Sequence, residues 1–216
     1  MKKLIGVIFA SLALFTYSAK AELGINVGVS GAMGVFHATG QENENGELSS
    51  DDATGVAGYG SIFLEKTLGD RFVIGVDYVP SALESETTET VVEDKTTTDT
   101  STDTTNKVQV DFEDLTTVYL AVNVTENLYI KAGYVQVDVI TNETLGTGST
   151  YNNTDMDGTT FGVGYNANFE NGLFARIEGS YTDFGGASVT ASNTDNKVSL
   201  KDLEGAAAKI SIGKSF

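Results

Sequence analysis

The sequence predicts an all-β fold: an eight-stranded antiparallel up-and-down β-barrel that crosses a membrane. Three observations lead there. Apolar residues alternate with small or polar ones at period two over eight successive segments. The 216 residues include 24 Gly, one Pro, no Cys and no Trp, which suits a single all-β domain rich in turns. The intervals between the segments alternate between long polar stretches and tight turns, as in a barrel with long loops on one side, short turns on the other and both chain ends on the short-turn side.

In chain order, Lys2 and Lys3 precede an apolar run over residues 4–17 and the small-residue signal Ala19-Lys20-Ala21. This is a secretory signal peptide over residues 1–21, shorter than the roughly 18 to 20 apolar residues that span a bilayer. The domain then occupies residues 22–216. In the first strand Leu23, Ile25, Val27, Val29, Met33 and Val35 oppose Gly24, Asn26, Gly28, Ser30, Ala32 and Gly34. Residues 39–54 read as a polar loop. Val56, Ile62 and Leu64 mark a second strand, and Phe72, Ile74, Val76 and Tyr78 a third that Pro80 ends. Residues 81–107 hold ten Thr and seven acids between positions 81 and 106 and read as a solvated loop. Val108, Val110, Phe112, Thr116, Val118, Leu120, Val122 and Val124 set one face of a fourth strand, interrupted by Asp114.

Leu128, Ile130, Ala132 and Tyr134 begin a fifth strand. Its apolar phase then shifts to Val135, Val137 and Val139, which predicts a bulge there or a wetter upper strand. A loop over residues 141–157 leads to Phe161, Val163 and Tyr165, and a short turn leads to Leu173, Ile177 and Tyr181. A last loop at residues 184–196 precedes the closing strand, where Ile210, Ile212 and the terminal Phe216 share a face.

Over nearly the whole mature chain, with Ala19-Lys20-Ala21, the stretch Gly75-Val76-Asp77-Tyr78, the run Arg176-Ile177-Glu178-Gly179 and Phe216 as its supports, the sequence resembles the small eight-stranded outer-membrane barrels of the outer-membrane protein X, outer-membrane protein A transmembrane domain and opacity-protein type. The resemblance implies the outer membrane of a Gram-negative bacterium, outer-membrane lipid and lipopolysaccharide as surroundings, and a monomer. It also implies that Ile210, Ile212 and Phe216 form the signal read by the barrel-assembly machinery. Lys214 departs from the apolar or aromatic residue usual before that terminus and must snorkel or find a neighbour. A soluble lipocalin is the competing barrel, with its apolar face inward, but its Gly-x-Trp signature cannot occur in a chain without Trp.

The formal charge of −17 falls to −20 once Lys2, Lys3 and Lys20 leave with the signal peptide. Nucleic acid is thereby excluded as a partner, since phosphate binding needs a basic patch. Divalent cations at acidic loop residues such as Glu42, Glu44, Glu47, Asp51 and Asp52 suit that charge. The fragment Asp155-Met156-Asp157-Gly158 lacks the later acid of a calcium loop, so no metal site is assigned.

The face opposite the apolar one carries Glu65, Asp77, Lys131, Arg176, Glu178 and Lys209. Charges inside so narrow a barrel must pair, forming either a plug or, if the pairs exchange partners, a gate. No catalytic constellation is legible: the one histidine, His37, has only Ser30 and nearby acids as conceivable partners. The expected protein is therefore non-enzymatic and without a cofactor, with a structural or surface-interaction role. A gated ion pore is the alternative, and a lipid A-modifying enzyme around His37 a more distant one.

Overall fold

The computed structural model describes residues 24–44, 47–84, 88–94, 102–145, 150–193 and 195–216. The signal peptide expected over residues 1–21 lies outside them. The chain forms β1 (Ile25–Glu44), β2 (Glu47–Leu68), β3 (Phe72–Tyr78), β4 (Leu83–Glu84), β5 (Thr88–Asp94), β6 (Thr102–Asn123), β7 (Leu128–Leu145), β8 (Thr154–Asn168), β9 (Leu173–Phe184), β10 (Ala187–Thr190) and β11 (Lys197–Ser215). Eight of these close a ring in the order β1-β2-β3-β6-β7-β8-β9-β11, sealed by antiparallel pairing of β11 with β1. β4 and β5 pair with β6, and β10 with β11.

The stagger of the ring follows from the register. The row of partners that starts at Asn26 passes through Glu65, Gly75, Tyr119, Gly133, Thr160, Thr182 and Gly205 and returns to β1 at Phe36, ten residues along. Eight strands with that shear tilt by about 40° and enclose a space that side chains can fill.

Which face looks outward decides what the barrel sits in. Val29, Met33, Ile62, Ile74, Ile130, Val163, Ile177, Ile210 and Ile212 are all exposed on the outer face. So continuous an apolar exterior is stable only in lipid, and closure leaves the crossing strands without unpaired backbone groups there. Phe72, Tyr165, Phe169 and Phe216 stand near the short turns, while Tyr134 and Tyr181 stand toward the long connections, so aromatic side chains flank the band at both ends. Lys214 finds the neighbour it needs, its Nζ lying 5.3 Å from the centre of the Phe216 ring.

The strands outrun the membrane. β1, β2, β6 and β7 have 20, 22, 22 and 18 residues, about twice the roughly 9 to 11 of a tilted crossing. Much of what reads as loop at residues 39–54, 81–107, 141–157 and 184–196 is therefore strand in the structure: local composition there is polar, but cross-strand pairing satisfies the backbone. Asp155-Met156-Asp157-Gly158 lies within β8, where alternation places Met156 inside and both aspartates outside.

The fourth sequence-predicted strand, now β6, needs a correction. Its register against β7 shifts between Glu113 and Thr116, so two residues of β6 oppose one of β7. Asp114 takes φ 53° there, its side chain accepting a hydrogen bond from the Tyr78 hydroxyl at 2.5 Å. Val118 and Leu120 thus face lipid, whereas Val110 and Phe112 face the lumen. The bulge expected near Val135 is absent, because β7 pairs with β8 without a break from Leu128 to Val139. Val135, Val137 and Val139 simply continue the inner face of Lys131, and the extra residue sits on the neighbouring strand.

Candidate functional site: a layered lumen with an open seam

All six charged residues expected on the inner face are inside the barrel, and they pair across it. Glu65 receives two hydrogen bonds from Arg176, Nη1 to Oε1 at 2.6 Å and Nη2 to Oε2 at 3.1 Å. The Tyr119 hydroxyl and the Asn26 amide donate to the same carboxylate at 2.7 and 3.0 Å. Glu178 takes a hydrogen bond from Lys131 and another from the Tyr129 hydroxyl at 2.7 Å. Lys209 Nζ donates to Asp77 Oδ2 at 2.9 Å. Three cations and three anions leave this layer neutral, the arrangement in which buried charges are tolerable.

The periodicity reading passed over the aromatic residues that complete this layer. The Arg176 guanidinium lies 5.0, 5.2 and 5.5 Å from the rings of Tyr129, Phe174 and Phe63, and Lys131 Nζ lies 4.9 Å from that of Tyr119. Their signal in the sequence is the glycine that faces each on the next strand. A Cβ at Gly75 would stand 2.6 Å from the Tyr119 hydroxyl oxygen, and one at Gly28 would stand 2.7 Å from Phe63 Cε1 and closer still to its Cζ. Glycine there lets the ring lie flat on the neighbouring backbone.

Toward the long connections the lumen changes character. Val135, Val137, Val139, Met156, Phe184 and Leu203 form a buried cluster, with Phe36, Val110, Phe112, Leu115 and Leu200 packed against it. On β1, β7, β8, β9 and β11 these residues lie on the long-connection side of the charged layer. Outside, the same stretch is acidic: Glu113, Asp138 and Asp155 are direct partners in one row across β6, β7 and β8. Partial burial and the charges of Asp114 and Asp155 hold the Asp138 carboxyl above the usual carboxylate range. This half is built like a soluble barrel, apolar within and polar without.

Among the described residues, one seam of the wall lacks strand pairing. β2 pairs with β3 only over residues 62–68, and the register ends at Ile62 with Tyr78. Beyond it the chain turns toward β6: Val79 N donates to Leu115 O, Pro80 follows, and among the described residues β4 and β5 pair only with β6. Among the described residues, positions 47–61 of β2 pair only with β1. Along the inner face of β2, Glu65, Phe63 and Ser61 are buried, Tyr59 and Ala57 half-buried, and Gly55 and Ala53 exposed. Val56, on the outer face beside the seam, is 70% exposed, so the opening stands next to lipid-facing surface.

His37 and Ser30 do not meet. They lie on opposite faces of β1: His37 Nδ1 is 3.1 Å from Thr54 Oγ1 on the outside, and Ser30 Oγ is 2.9 Å from Ser211 Oγ in the lumen. The wall separates the imidazole from the hydroxyl it would have to activate. Of the acidic positions considered for cations, the side chains of Glu44 and Glu47 lie outside the described residues. Among the described residues no group of three or more His, Cys, Asp or Glu could hold a metal ion.

No protein-family model matches the sequence, and no curated protein does. Solved structures match the fold. The outer membrane protein OprG from Pseudomonas aeruginosa superimposes with a TM-score of 0.55 at 11% identity, over 89% of this chain and 96% of its own. The outer membrane protein AlkL, determined in lipid bilayers, superimposes with a TM-score of 0.56 at 14% identity, over 93% of each chain. The fold is that of the small outer-membrane β-barrels.

Proposed function

We propose that this chain sits in the outer membrane of a Gram-negative bacterium and passes small apolar molecules sideways, between the outer half of its lumen and the surrounding lipid. The observation that carries this reading is the seam between β2 and β3: among the described residues β2 has no partner but β1 beyond Ile62, and Val56 on its outer face is exposed beside that gap. Apolar solutes gain from such a route because they never leave an apolar environment for water. The neutral layer of Glu65, Asp77, Lys131, Arg176, Glu178 and Lys209 acts below it as a plug against ions. A gated ion pore is the alternative, in which these same pairs would exchange partners.

The test uses cells with intact lipopolysaccharide, which excludes the apolar dye N-phenyl-1-naphthylamine. Cells carrying the protein should take up the dye several-fold faster than cells without it. Ala57, on the inner face of β2 beside the seam, is the position for a block: Ala57→Trp should return uptake to background while the barrel still shows folded gel mobility. Equal uptake with and without the protein would remove the proposal.

The acidic outer row Glu113, Asp138 and Asp155 supports a second role in contact at the cell surface, with cationic groups or divalent cations bound to lipopolysaccharide as partners.

A further inference from the structure

The end of the lumen nearest the short turns is hollow. A cavity of about 160 Å³ lies there, with the ion pair of Glu65 and Arg176 as its floor. Five strands build its polar wall: Asn26 on β1, Thr67 on β2, Asn123 on β6, Asn166 and Asn168 on β8, and Ser215 on β11. Asn168 and Ser215 are exposed, so the cavity opens to solvent. In an outer-membrane barrel the end with the short turns faces the periplasm.

Two of these polar groups are unused. Asn26 donates to Glu65 and accepts from Ser215, and Asn166 donates to Asn168. Thr67 and Asn123 make no side-chain hydrogen bond among the described residues, although both are half-buried and line the cavity. Polar groups held apart in this way favour an occupant that brings its own donors and acceptors. The rest of the wall includes the apolar side chains of Val73, Ala121 and Phe174.

We propose that this cavity binds one uncharged pyranose ring, as a free sugar or as the last residue of a glycan chain in the periplasm. Volume sets the size of the occupant, since a cavity of about 150 Å³ takes up a single benzene ring. The occupant is uncharged because Glu65 and Arg176 hold each other by two hydrogen bonds, so an ionised ligand meets no free counter-charge. A purely apolar ring would strip Thr67 and Asn123 of water and return no hydrogen bond. A sugar answers both demands: its hydroxyls donate and accept, as an amide and a hydroxyl require, and its C–H face suits the apolar wall. The charged layer separates this site from the lateral route, and neither depends on the other.

The test is NMR on the full barrel in lipid nanodiscs, reading the side-chain amide signals of Asn123 and Asn168 as ligand is added. Glucose, galactose and mannose are the sugars, cyclohexanol is a ring of similar size with one hydroxyl, and free glycine is a small zwitterion. At least one sugar should give saturable shifts and bind more tightly than cyclohexanol or glycine. Thr67→Val and Asn123→Leu, read at Asn168, should each weaken that sugar by roughly three- to tenfold, the worth of one neutral hydrogen bond. Thr67→Ser, which keeps the hydroxyl, should retain the affinity, and Ala57→Trp beside the seam should leave it unchanged. A trisaccharide that binds as well as its monomer assigns the site to a chain end, and one that does not bind assigns it to free sugar. The inference falls if no sugar shifts these amides, if cyclohexanol or glycine binds as tightly, if neither wall variant weakens binding, or if Ala57→Trp abolishes it. It falls then without touching the lateral route, which dye uptake tests separately.

Discussion

Arg176 shows how much one side chain does in the lumen. Its guanidinium holds both oxygens of Glu65 and is surrounded by three aromatic rings, so truncation leaves a buried carboxylate without its counter-charge. Arg176→Ala should cost about 3 to 5 kcal/mol in reversible denaturant unfolding, and Arg176→Lys, which loses the bidentate fork, should recover only part of that. The same residue tests the plug. In planar bilayers the wild type should give no discrete current steps, while Arg176→Ala should give them. Steps of equal size and frequency from the two proteins would return the ion-pore reading to first place.

At the scale of elements, the bulge on β6 is the device that exchanges inside and outside. By opposing two residues to one at Glu113 to Thr116, it turns the apolar face of β6 from lipid to lumen where the strand leaves the membrane. The cost appears outside, where Glu113, Asp138 and Asp155 stand side by side as like charges. Asp138 binds its proton more tightly in the folded protein than as a free side chain, so folding is favoured as the pH falls through its raised pKa and that contribution is lost above it. Asp138→Asn should therefore raise the melting temperature at pH 7, and the gain should vanish in acid, once the wild-type carboxyl is protonated. A gain of the same size at both pH values would mean that repulsion is not its source.

At the scale of the whole molecule, the ring is paired all round up to the lipid-facing Ile62 of β2, and from there on, among the described residues, β2 has no partner on its β3 side. Hydrogen exchange should report that difference directly. Amides of β2 at positions 55–60 that point away from β1 have no partner strand among the described residues, and should exchange much faster than those at positions 62–68. Uniform protection along β2 would mean that the wall is closed and the lateral route absent.

Eight strands, the lipid face and the inward charges were legible in the sequence, because alternation at period two is a local property and a terminal run such as Ile210, Ile212 and Phe216 states its own face. Glu65, Asp77, Lys131, Arg176, Glu178 and Lys209 could be placed on the inner side for that reason alone. Which of them pair could not, since Glu65 meets Arg176 across 111 positions of chain, and only the ten-residue shear of the closed ring brings them together. The polar stretches were misread as loops because composition records solvation, whereas strand pairing depends on a partner elsewhere in the chain. The face exchange at Asp114 and the unpaired seam beside β2 belong wholly to the tertiary structure: each is a mismatch between neighbouring strands, and a single strand read by itself has no neighbour to be mismatched with.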